Sequence, residues 1–302
     1  MNEIRIDALL PQEMASRAEY LGVRKAETPF LKMFMLAILA GAFIAMGAIF
    51  ATTVGAGAQA VTTPDGTAAY SVGLPYGVVR LLSGLVFSLG LILVLVGGAE
   101  LFTGNNLIVM AWISGKVTTW QLIRNWIIVY AGNFVGAMGT AILMFLSRQY
   151  TFGSNAVGIA ALKTAVAKSD LTFIQAVALG ILCNALVCMA VWLTYSARST
   201  VDKIMAIVFP IAAFVAAGFE HSIANMYFIP IGLFIKDFDP AFIGAVGKQV
   251  AHLDTLTWSA FLFNNLLPVT IGNIIGGSVL VAAIYWIIYL RPAKAQSQKE
   301  PK

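Results

Sequence analysis

Six stretches of this chain carry almost no charge, and each is long enough to cross a lipid bilayer as a helix. A helix needs about 20 consecutive apolar residues to span the hydrocarbon core. Hydrophobic residues make up 59% of the 302 residues and charged residues only 11%, so a water-soluble surface of ordinary charge density cannot be built. The sequence therefore predicts an all-α integral membrane protein, with spans near 33–53, 81–113, 125–147, 171–197, 204–235 and 255–290.

The second and fifth spans are interrupted by polar segments, GGAELFTGNN and GFEHSIAN, that match each other. Gly98, Glu100 and Asn105 recur with the same spacing as Gly218, Glu220 and Asn225. A second match follows in the third and sixth spans, where Asn125, Gly132, Asn133 and Gly136 recur as Asn265, Gly272, Asn273 and Gly276. A looser match in the first and fourth spans pairs Phe34 and Gly41 with Phe173 and Gly180. Two ordered matches indicate an internal repeat, over about 30–148 and 168–290.

Each copy holds three spans, an odd number, so the second copy enters the membrane from the opposite side. Inverted copies bring their broken spans together near the middle of the bilayer, and a pathway along the line where they meet follows. Non-helical backbone at this depth must be buried in protein or line a cavity. The free amides at the start of each half-helix present the positive end of its dipole, which favours an anion over a cation. Candidates to bond the remaining backbone groups are Ser222, Asn225, Thr103, Asn105 and Asn106.

Glu100 and Glu220 are the only formal charges in the broken spans. A charge at the bilayer centre costs roughly 2.5–3.5 kcal/mol on insertion scales, so neither side chain should face lipid. We expect each to accept hydrogen bonds from amides of the break rather than to bind substrate directly, with Glu220 beside the pore. His221 breaks the symmetry, because its counterpart is Leu101. Although an isolated histidine is ordinarily a packed core residue, this one adjoins a helix break, and we expect it to hydrogen-bond or protonate a passing anion.

The distribution of positive charge favours a cytoplasmic location for both termini, since lysine and arginine accumulate on that side of a membrane. With the N-terminus inside, the outer segments hold the minority of the 19 lysines and arginines, namely Arg80, Arg148, Lys163, Lys168, Lys236 and Lys248. Net charge of +5 is thus explained by topology and gives no support to nucleic-acid binding.

Three segments make up the predicted organisation: an N-terminal helix at 1–29, a pore domain at 30–290 and a disordered cytoplasmic tail at 291–302. The first segment is too charged for a signal peptide. Its sequence LLPQEMASRAEYLGVRKA has a proline suited to a first helical turn and places Met14, Ala18 and Leu21 on one face. This cytoplasmic amphipathic helix is expected either to anchor at the membrane surface or to act as a lid over a cytoplasmic opening.

Other classes of protein fit the chain poorly. An intramembrane enzyme would need a nucleophile with a base, paired aspartates or a metal cluster. The only histidines are His221 and His252, and no HExxH motif is present. Cys183 and Cys188 lie five residues apart, off one helical face, and are expected to be reduced packing residues. A structural scaffold would not explain duplicated breaks, so we expect a transporter without metal or cofactor.

Long motifs spread over residues 5–291 resemble those of the formate/nitrite transporter family, with its formate channels the most similar. They are FSLGLIL, AELFTG, GNFVGA, GFEHSIANM and PVTIGNIIGG. The resemblance implies an aquaporin-like protomer of six helices with the second and fifth broken, assembled in the lipid bilayer as a homopentamer whose protomers each carry a pore. It also implies the bacterial inner membrane as the location, and formate as the substrate.

By the same resemblance, His221 is the central pore histidine, between apolar constrictions that dewet and block hydrated ions. Lys168 matches a family lysine thought to attract the anion. The expected pore residues are His221, Asn225, Thr103, Lys168 and Glu220, the constriction residues are Phe87, Leu91 and Phe214, and the residues supporting the breaks are Glu100, Asn105 and Asn273. Protonation of formate near His221 would let the neutral acid cross. A nitrite or hydrosulfide channel of the same family and a proton-coupled formate symporter remain open alternatives.

Overall fold

The computed structural model describes residues 7–57, 59–62, 68–72 and 74–291, and almost all of them are helical. The predicted disordered tail lies outside the described residues except for Arg291. The helices are Pro11–Ala26 (α1), Phe30–Gly55 (α2), Tyr76–Gly97 (α3), Gly104–Ile113 (α4), Thr119–Leu146 (α5), Ala156–Ser169 (α6), Phe173–Ser196 (α7), Thr200–Ala217 (α8), Ser222–Phe238 (α9), Pro240–Val246 (α10) and Ala260–Leu290 (α11).

Six of these helices, α2, α3, α5, α7, α8 and α11, are long and apolar enough to cross a membrane by length and composition. The prediction of six spans is confirmed. The second span is α3 followed by the short α4, and the fifth is α8 followed by α9, so both breaks fall inside the predicted segments. Long stretches of α11 hydrogen-bond in the wider π pattern, including Ala260–Leu266 and Ile275–Ala283.

A short antiparallel hairpin outside the six spans was not predicted. Its strands are Gln59–Thr62 (β1) and Ala68–Val72 (β2), which lie between α2 and α3. Gln59 pairs with Val72, and Val61 pairs with Tyr70. Valine, threonine and tyrosine favour strands, but runs of four and five residues are too short to be distinguished from loop by pattern alone.

The two halves of the chain pack in the same way. In the first half α2 packs against α3 and α5, and in the second half α7 packs against α8 and α11. Helices α1 and α6 precede the two halves in corresponding positions. The halves meet along α3 against α8 and along α5 against α9, so the two broken spans lie side by side at the centre.

Glycines of the third and sixth spans permit close helix contact within the protomer. A Cβ at Gly136 would collide with the carbonyl oxygen of Ile38 in α2, and a Cβ at Gly276 would collide with that of Ile181 in α7. Small-residue spacings such as Gly132/Gly136 and Gly272/Gly276 can serve packing inside one protomer or between protomers. In the described structure these glycines pack helices against each other within one protomer.

One part of the predicted repeat alignment was wrong by a helical turn. Gly136 and Gly276 contact Ile38 and Ile181, so these two isoleucines are equivalent and Gly180 corresponds to Ala37. The sequence comparison had paired Gly180 with Gly41. Glycines are frequent in both helices, and a shift of four residues keeps the same helical face, so a match of one phenylalanine and one glycine could not fix the register.

Candidate functional site

Each helix break begins at a glycine whose backbone other residues rarely adopt. Gly98 ends α3 with φ of +82° and Gly218 ends α8 with φ of +78°, the left-handed conformation common just after a helix. The chain then turns toward the neighbouring first helix of its own half. The Glu100 amide donates to the carbonyl of Leu36 at 3.2 Å, and the Glu220 amide donates to that of Leu179 at 3.3 Å.

Two asparagines of the third and sixth spans hold the non-helical backbone. Each uses its amide group to donate to two carbonyls and its oxygen to accept one backbone N–H, as a buried break requires. Asn133 bonds Ala37 O (2.7 Å), Glu100 O (2.9 Å) and Phe102 N (2.9 Å), and Asn273 bonds Gly180 O (2.8 Å), Glu220 O (2.9 Å) and Ser222 N (2.9 Å). Asn273 was expected to support a break. Asn133 was missed as a site residue, although the repeated GN pair could have identified it.

Within the described structure the two buried glutamates pair with lysines, and their carboxylates accept no hydrogen bond from a backbone amide. Lys25 of α1 donates to Glu100 at 2.8 Å, and Lys168 of α6 donates to Glu220 at 2.7 Å. Asn105 also donates to Glu100 at 2.8 Å. The expectation that these carboxylates bond backbone amides of the break was therefore wrong. Most of those N–H groups already donate to Asn133, to Asn273, to nearby carbonyls or to the His221 ring.

Side-chain amides complete the environment of Glu220. Asn225 donates to it at 2.6 Å and Asn265 at 3.1 Å. Lys25 was missed as a partner of Glu100, but the repeat could have identified it: Lys25 lies five residues before Phe30, as Lys168 lies five residues before Phe173.

The amides at the start of α9 are also occupied. Ser222 N bonds Asn273, Ala224 N bonds the His221 ring at 3.1 Å, and Asn225 N bonds the His221 carbonyl at 3.0 Å. The sequence predicted that such amides face a passing anion, and for these three the structure contradicts that. Buried N–H groups need a partner at all times, so protein atoms supply it. Positive charge near the path comes from side chains instead.

His221 caps α9 and has a defined tautomer. Its Nδ1 accepts the Ala224 amide, so the proton of the neutral ring is on Nε2. Nε2 lies 3.1 Å from the hydroxyl of Thr103, to which it can donate. Because Thr103 belongs to the first break and His221 to the second, this contact joins the two halves. The imidazole is buried and stacks on Phe214 with centroids 5.9 Å apart.

Two cavities approach this centre from opposite sides. One has a volume of about 330 Å³ and is called the α6 cavity, because residues of α6 line it. The other has a volume of about 310 Å³ and is called the α1 cavity, because residues of α1 line it. Phe87, Phe214 and His221 lie in the wall of the α6 cavity. Leu91, one turn further along α3, lies in the wall of the α1 cavity. No described residue lines both cavities, so the route between them is closed at Phe87 and Leu91.

The closed region is apolar. Phe87, Leu91 and Phe214 are all nearly fully buried. The rings of Phe87 and Phe214 contact edge to face, with centroids 5.7 Å apart. Phe87 also stacks with Phe228 at 6.3 Å. An apolar constriction of this kind favours dewetting.

Cations dominate the charged side chains of both cavities. Among the described lining residues of the α6 cavity, Arg80, Lys163 and Lys168 are cationic and none is acidic. The α1 cavity is lined by Arg17, Lys25 and Lys203, with the carboxylate of Glu100 as the acidic member of the described lining residues. Sequence analysis identified only Lys168 among these six as a site residue.

The residues predicted to form the site are brought together, but they do not all line a cavity. Thr103, Glu220 and Asn273 are buried between the cavities and line neither of them. Those in the α6 cavity wall are His221, Asn225, Lys168, Phe87 and Phe214, and those in the α1 cavity wall are Leu91, Glu100 and Asn105.

Helix α1 covers the cavity named after it. Arg17, Leu21 and Lys25 lie in the cavity wall, and Gln12 donates to the carbonyl of Tyr289 at 2.6 Å. Glu19 is ion-paired with Lys116. This placement is compatible with α1 as a lid, and the choice between a lid and an anchor at the membrane surface stays a prediction.

Comparison with known proteins gives a consistent result. The family model described as formate/nitrite transporter matches residues 12–287. The chain is 50% identical to the formate channel FocA of Escherichia coli K12 over 286 residues, which cover 94% of this chain and 96% of that one. It is 42% identical to the formate channel FocA of Haemophilus influenzae, covering 91% and 92%. A solved pentameric formate channel with formate bound is 44% identical, with a TM-score of 0.75, covering 86% of this chain and 98% of that one.

Proposed function

The chain belongs to the formate/nitrite transporter family, and from this membership we propose that it is a channel that carries formate across a membrane. Its family members are channels and transporters rather than enzymes. The path runs through the α6 cavity, past His221 and the Phe87–Phe214 pair, and into the α1 cavity. Each protomer carries its own path.

The observation that carries the proposal is the pair of cation-lined cavities separated by an apolar closure. A cleft lined by charge of one sign raises the local concentration of the opposite ion, here a small anion. The closure excludes hydrated ions, because a hydrophobic constriction gates by dewetting. A small weak acid satisfies both conditions, since its anion is attracted into the cavity and its neutral form can pass the apolar region.

Two groups at the inner end of the α6 cavity fit the two forms of this solute. Nε2–H of His221 is a donor that can leave Thr103 and bond a carboxylate oxygen. Asn225 Oδ1 is a buried acceptor with no hydrogen-bond partner among the described residues. An unpaired buried acceptor is costly, and the hydroxyl of formic acid would satisfy it. Lys168 adds positive charge in the same wall.

The role of His221 is hydrogen bonding to the solute. Protonating formate from this ring would first require a proton on Nδ1, which accepts the Ala224 amide. That proton would release a buried backbone N–H, at a cost of about 1–3 kcal/mol. We therefore propose that the proton carried with formate comes from water in the cavity, and that His221 stabilises the acid on its way through.

We further propose that the protein assembles as a homopentamer in a bacterial inner membrane, with both termini and the α1 cavity on the cytoplasmic side. The similar pentameric formate channel supports the assembly. The excess of lysine and arginine in the segments on the α1 side supports the orientation. In this orientation α1 covers the cytoplasmic opening.

Formate flux into liposomes containing the purified protein tests the function. The wild type should conduct formate faster than nitrite or hydrosulfide at pH 6–7. His221→Phe, which keeps an aromatic ring on Phe214 but removes the donor, should lower formate flux about tenfold or more, the worth of one hydrogen bond to the solute. His252→Asn, a change at the other histidine in an exposed loop, is the matched control. Wild-type flux through His221→Phe at every pH would refute the assigned role.

A further inference from the structure

The C-terminal end of α8 lies in the wall of the α6 cavity, where an attracted anion is present. Val215, Gly218 and Phe219 all line that cavity. The C-terminus of a helix carries a partial negative charge of roughly half an electron, on carbonyls that have no intrahelical partner. Left uncovered, these carbonyls would repel the anion close to His221.

Arg80 covers these carbonyls. Its Nε donates to Ala216 O at 3.1 Å, and its Nη2 donates to Val215 O, which also accepts the Gly218 amide at 3.1 Å. Arg80 is half-buried in the first turns of α3, and its side chain lines the α6 cavity together with Tyr76 and Ser83. A guanidinium can bond two carbonyls at once while its full positive charge remains in the cavity.

Among the described residues, the first half of the protein has no equivalent of this contact. Gly98 corresponds to Gly218, so Leu95 and Val96 correspond to the two covered carbonyls and Thr200 corresponds to Arg80. Within the described part of the chain, the carbonyls of Leu95 and Val96 accept no side-chain hydrogen bond. The α1 cavity therefore has an uncovered helix C-terminus, whereas the α6 cavity has one neutralised by a cation.

We propose that Arg80 determines the anion affinity of the α6 cavity: by cancelling the negative end of α8, it sets how strongly that cavity attracts its anion. The inference rests on the proposed function. It predicts that the two sides of the channel differ, with the higher anion affinity on the α6 side. The competing role is purely structural, in which Arg80 caps α8 and its charge does not affect the anion.

Charge and hydrogen bonding can be separated at this position. Arg80→Lys keeps the charge and one donor, whereas Arg80→Gln keeps a donor and loses the charge. Lys248→Gln is the matched control, because it removes one exposed positive charge beyond α10 and lines neither cavity. Thr200→Arg places a cation at the equivalent position of the first half, where a guanidinium could cover the carbonyls of Leu95 and Val96.

The concentration dependence of formate flux in liposomes, measured at low and high salt, distinguishes an effect of the Arg80 charge on the anion from a purely structural cap. For Arg80→Gln we expect the half-saturating formate concentration to rise about fivefold at low salt and less than about twofold near 1 M salt, with the maximal flux almost unchanged. Arg80→Lys and Lys248→Gln should stay near the wild type. Thr200→Arg should lower the half-saturating concentration at low salt.

Equal behaviour of Arg80→Gln and Arg80→Lys, with no dependence on salt, would overturn the inference and assign Arg80 a capping role. If Arg80→Gln does not yield folded protein, the Thr200→Arg result decides, and an unchanged half-saturating concentration there refutes the proposal. A wild type that conducts no formate would refute the proposed function instead. The wild-type measurement thus separates the two failures.

Discussion

The break between α3 and α4 and the break between α8 and α9 are held by the same set of contacts. Each has a glycine in the left-handed conformation, an asparagine that bonds three backbone groups, and a buried glutamate paired with a lysine from a preceding helix. The equivalence reaches beyond the breaks. Asn125 donates to the carbonyl of Lys25 as Asn265 donates to that of Lys168.

The breaks differ at a few positions beside the path. His221 stands where the first half has Leu101, and the oxygen of Asn225 has no described partner whereas that of Asn105 accepts from Lys25 at 2.9 Å. The lysine of the second half is also less exposed, 16% against 31% for Lys25. We expect the duplicated contacts to stabilise the breaks, which lipid cannot do, and the unduplicated groups to act on the solute. Variants made in pairs, one in each half, can test this division.

The largest effect is expected at the two asparagines that hold the breaks. Asn133→Leu and Asn273→Leu each remove three hydrogen bonds and leave a buried carbonyl and a buried N–H of the break without their side-chain partner, which should cost about 3 kcal/mol or more. Because the contacts are duplicated, both variants should lose folded protein to the same extent, measured by thermal unfolding in detergent. A large loss of folded protein for only one of the two variants would show that the two asparagines do not contribute equally to stability.

Replacing the lysine that pairs with each buried glutamate should lower the free energy of unfolding by different amounts in the two halves. Lys168→Met leaves Glu220 charged and only 5% exposed, which should cost about 3 kcal/mol of unfolding free energy. Lys25→Met should cost about 1 kcal/mol, since solvent reaches both members of its pair. Adding Glu220→Gln to Lys168→Met should restore part of the loss, because the unpaired charge is removed. Equal losses from the two lysine variants would contradict this comparison.

The glycines that end α3 and α8 should give smaller losses. Alanine in the left-handed conformation costs about 1 kcal/mol, so Gly98→Ala and Gly218→Ala should both lower the unfolding temperature modestly. The second variant should lose more. A Cβ at Gly218 would lie 3.3 Å from the guanidinium of Arg80, whereas a Cβ at Gly98 would have no atom of the described residues within 4 Å. Identical shifts in unfolding temperature would argue against strain at the Arg80 contact.

The smallest effect is expected where the halves are linked outside the membrane. Asp239 accepts from Arg148 and from the Tyr150 hydroxyl, and the Tyr150 bond is the main cause that holds the pKa of Asp239 below its ordinary 3.8. A lowered pKa contributes stability above the unfolded value, which is lost as pH falls below about 4 through the folded value. Asp239→Asn should cost below about 1 kcal/mol at pH 7, with Arg148 largely exposed. It should also flatten the acid side of the stability profile; an unchanged acid side would refute this assignment.

The spans and their breaks could be predicted from sequence because lipid allows few alternatives. A bilayer forces backbone groups to bond within a helix, so apolar runs of sufficient length identify the spans, and Gly98 and Gly218 inside such runs identify the breaks. The partners of the buried groups could not be derived in the same way. Lys25 reaches Glu100 from 75 residues away, and no local pattern specifies such a contact; only its repeat equivalence with Lys168 points to it.

The error about the amides at the start of α9 has the same origin. Sequence shows that a half-helix starts at Ser222, but it does not show that Asn273 and His221 already bond its N–H groups. Arg80 was not predicted to be a site residue for a related reason, because its two carbonyl partners lie 135 and 136 residues further along the chain.

The separation of the two cavities has a kinetic consequence. Because no described residue lines both, a solute resting in one cavity does not obstruct the other, and a protomer can hold two solute molecules at the same time. Each reservoir then equilibrates with the solution it faces, and throughput at high formate depends on how often the Phe87–Leu91 region admits a single molecule. The maximal flux would accordingly report the frequency of that crossing, whereas the half-saturating formate concentration would report how readily a cavity fills.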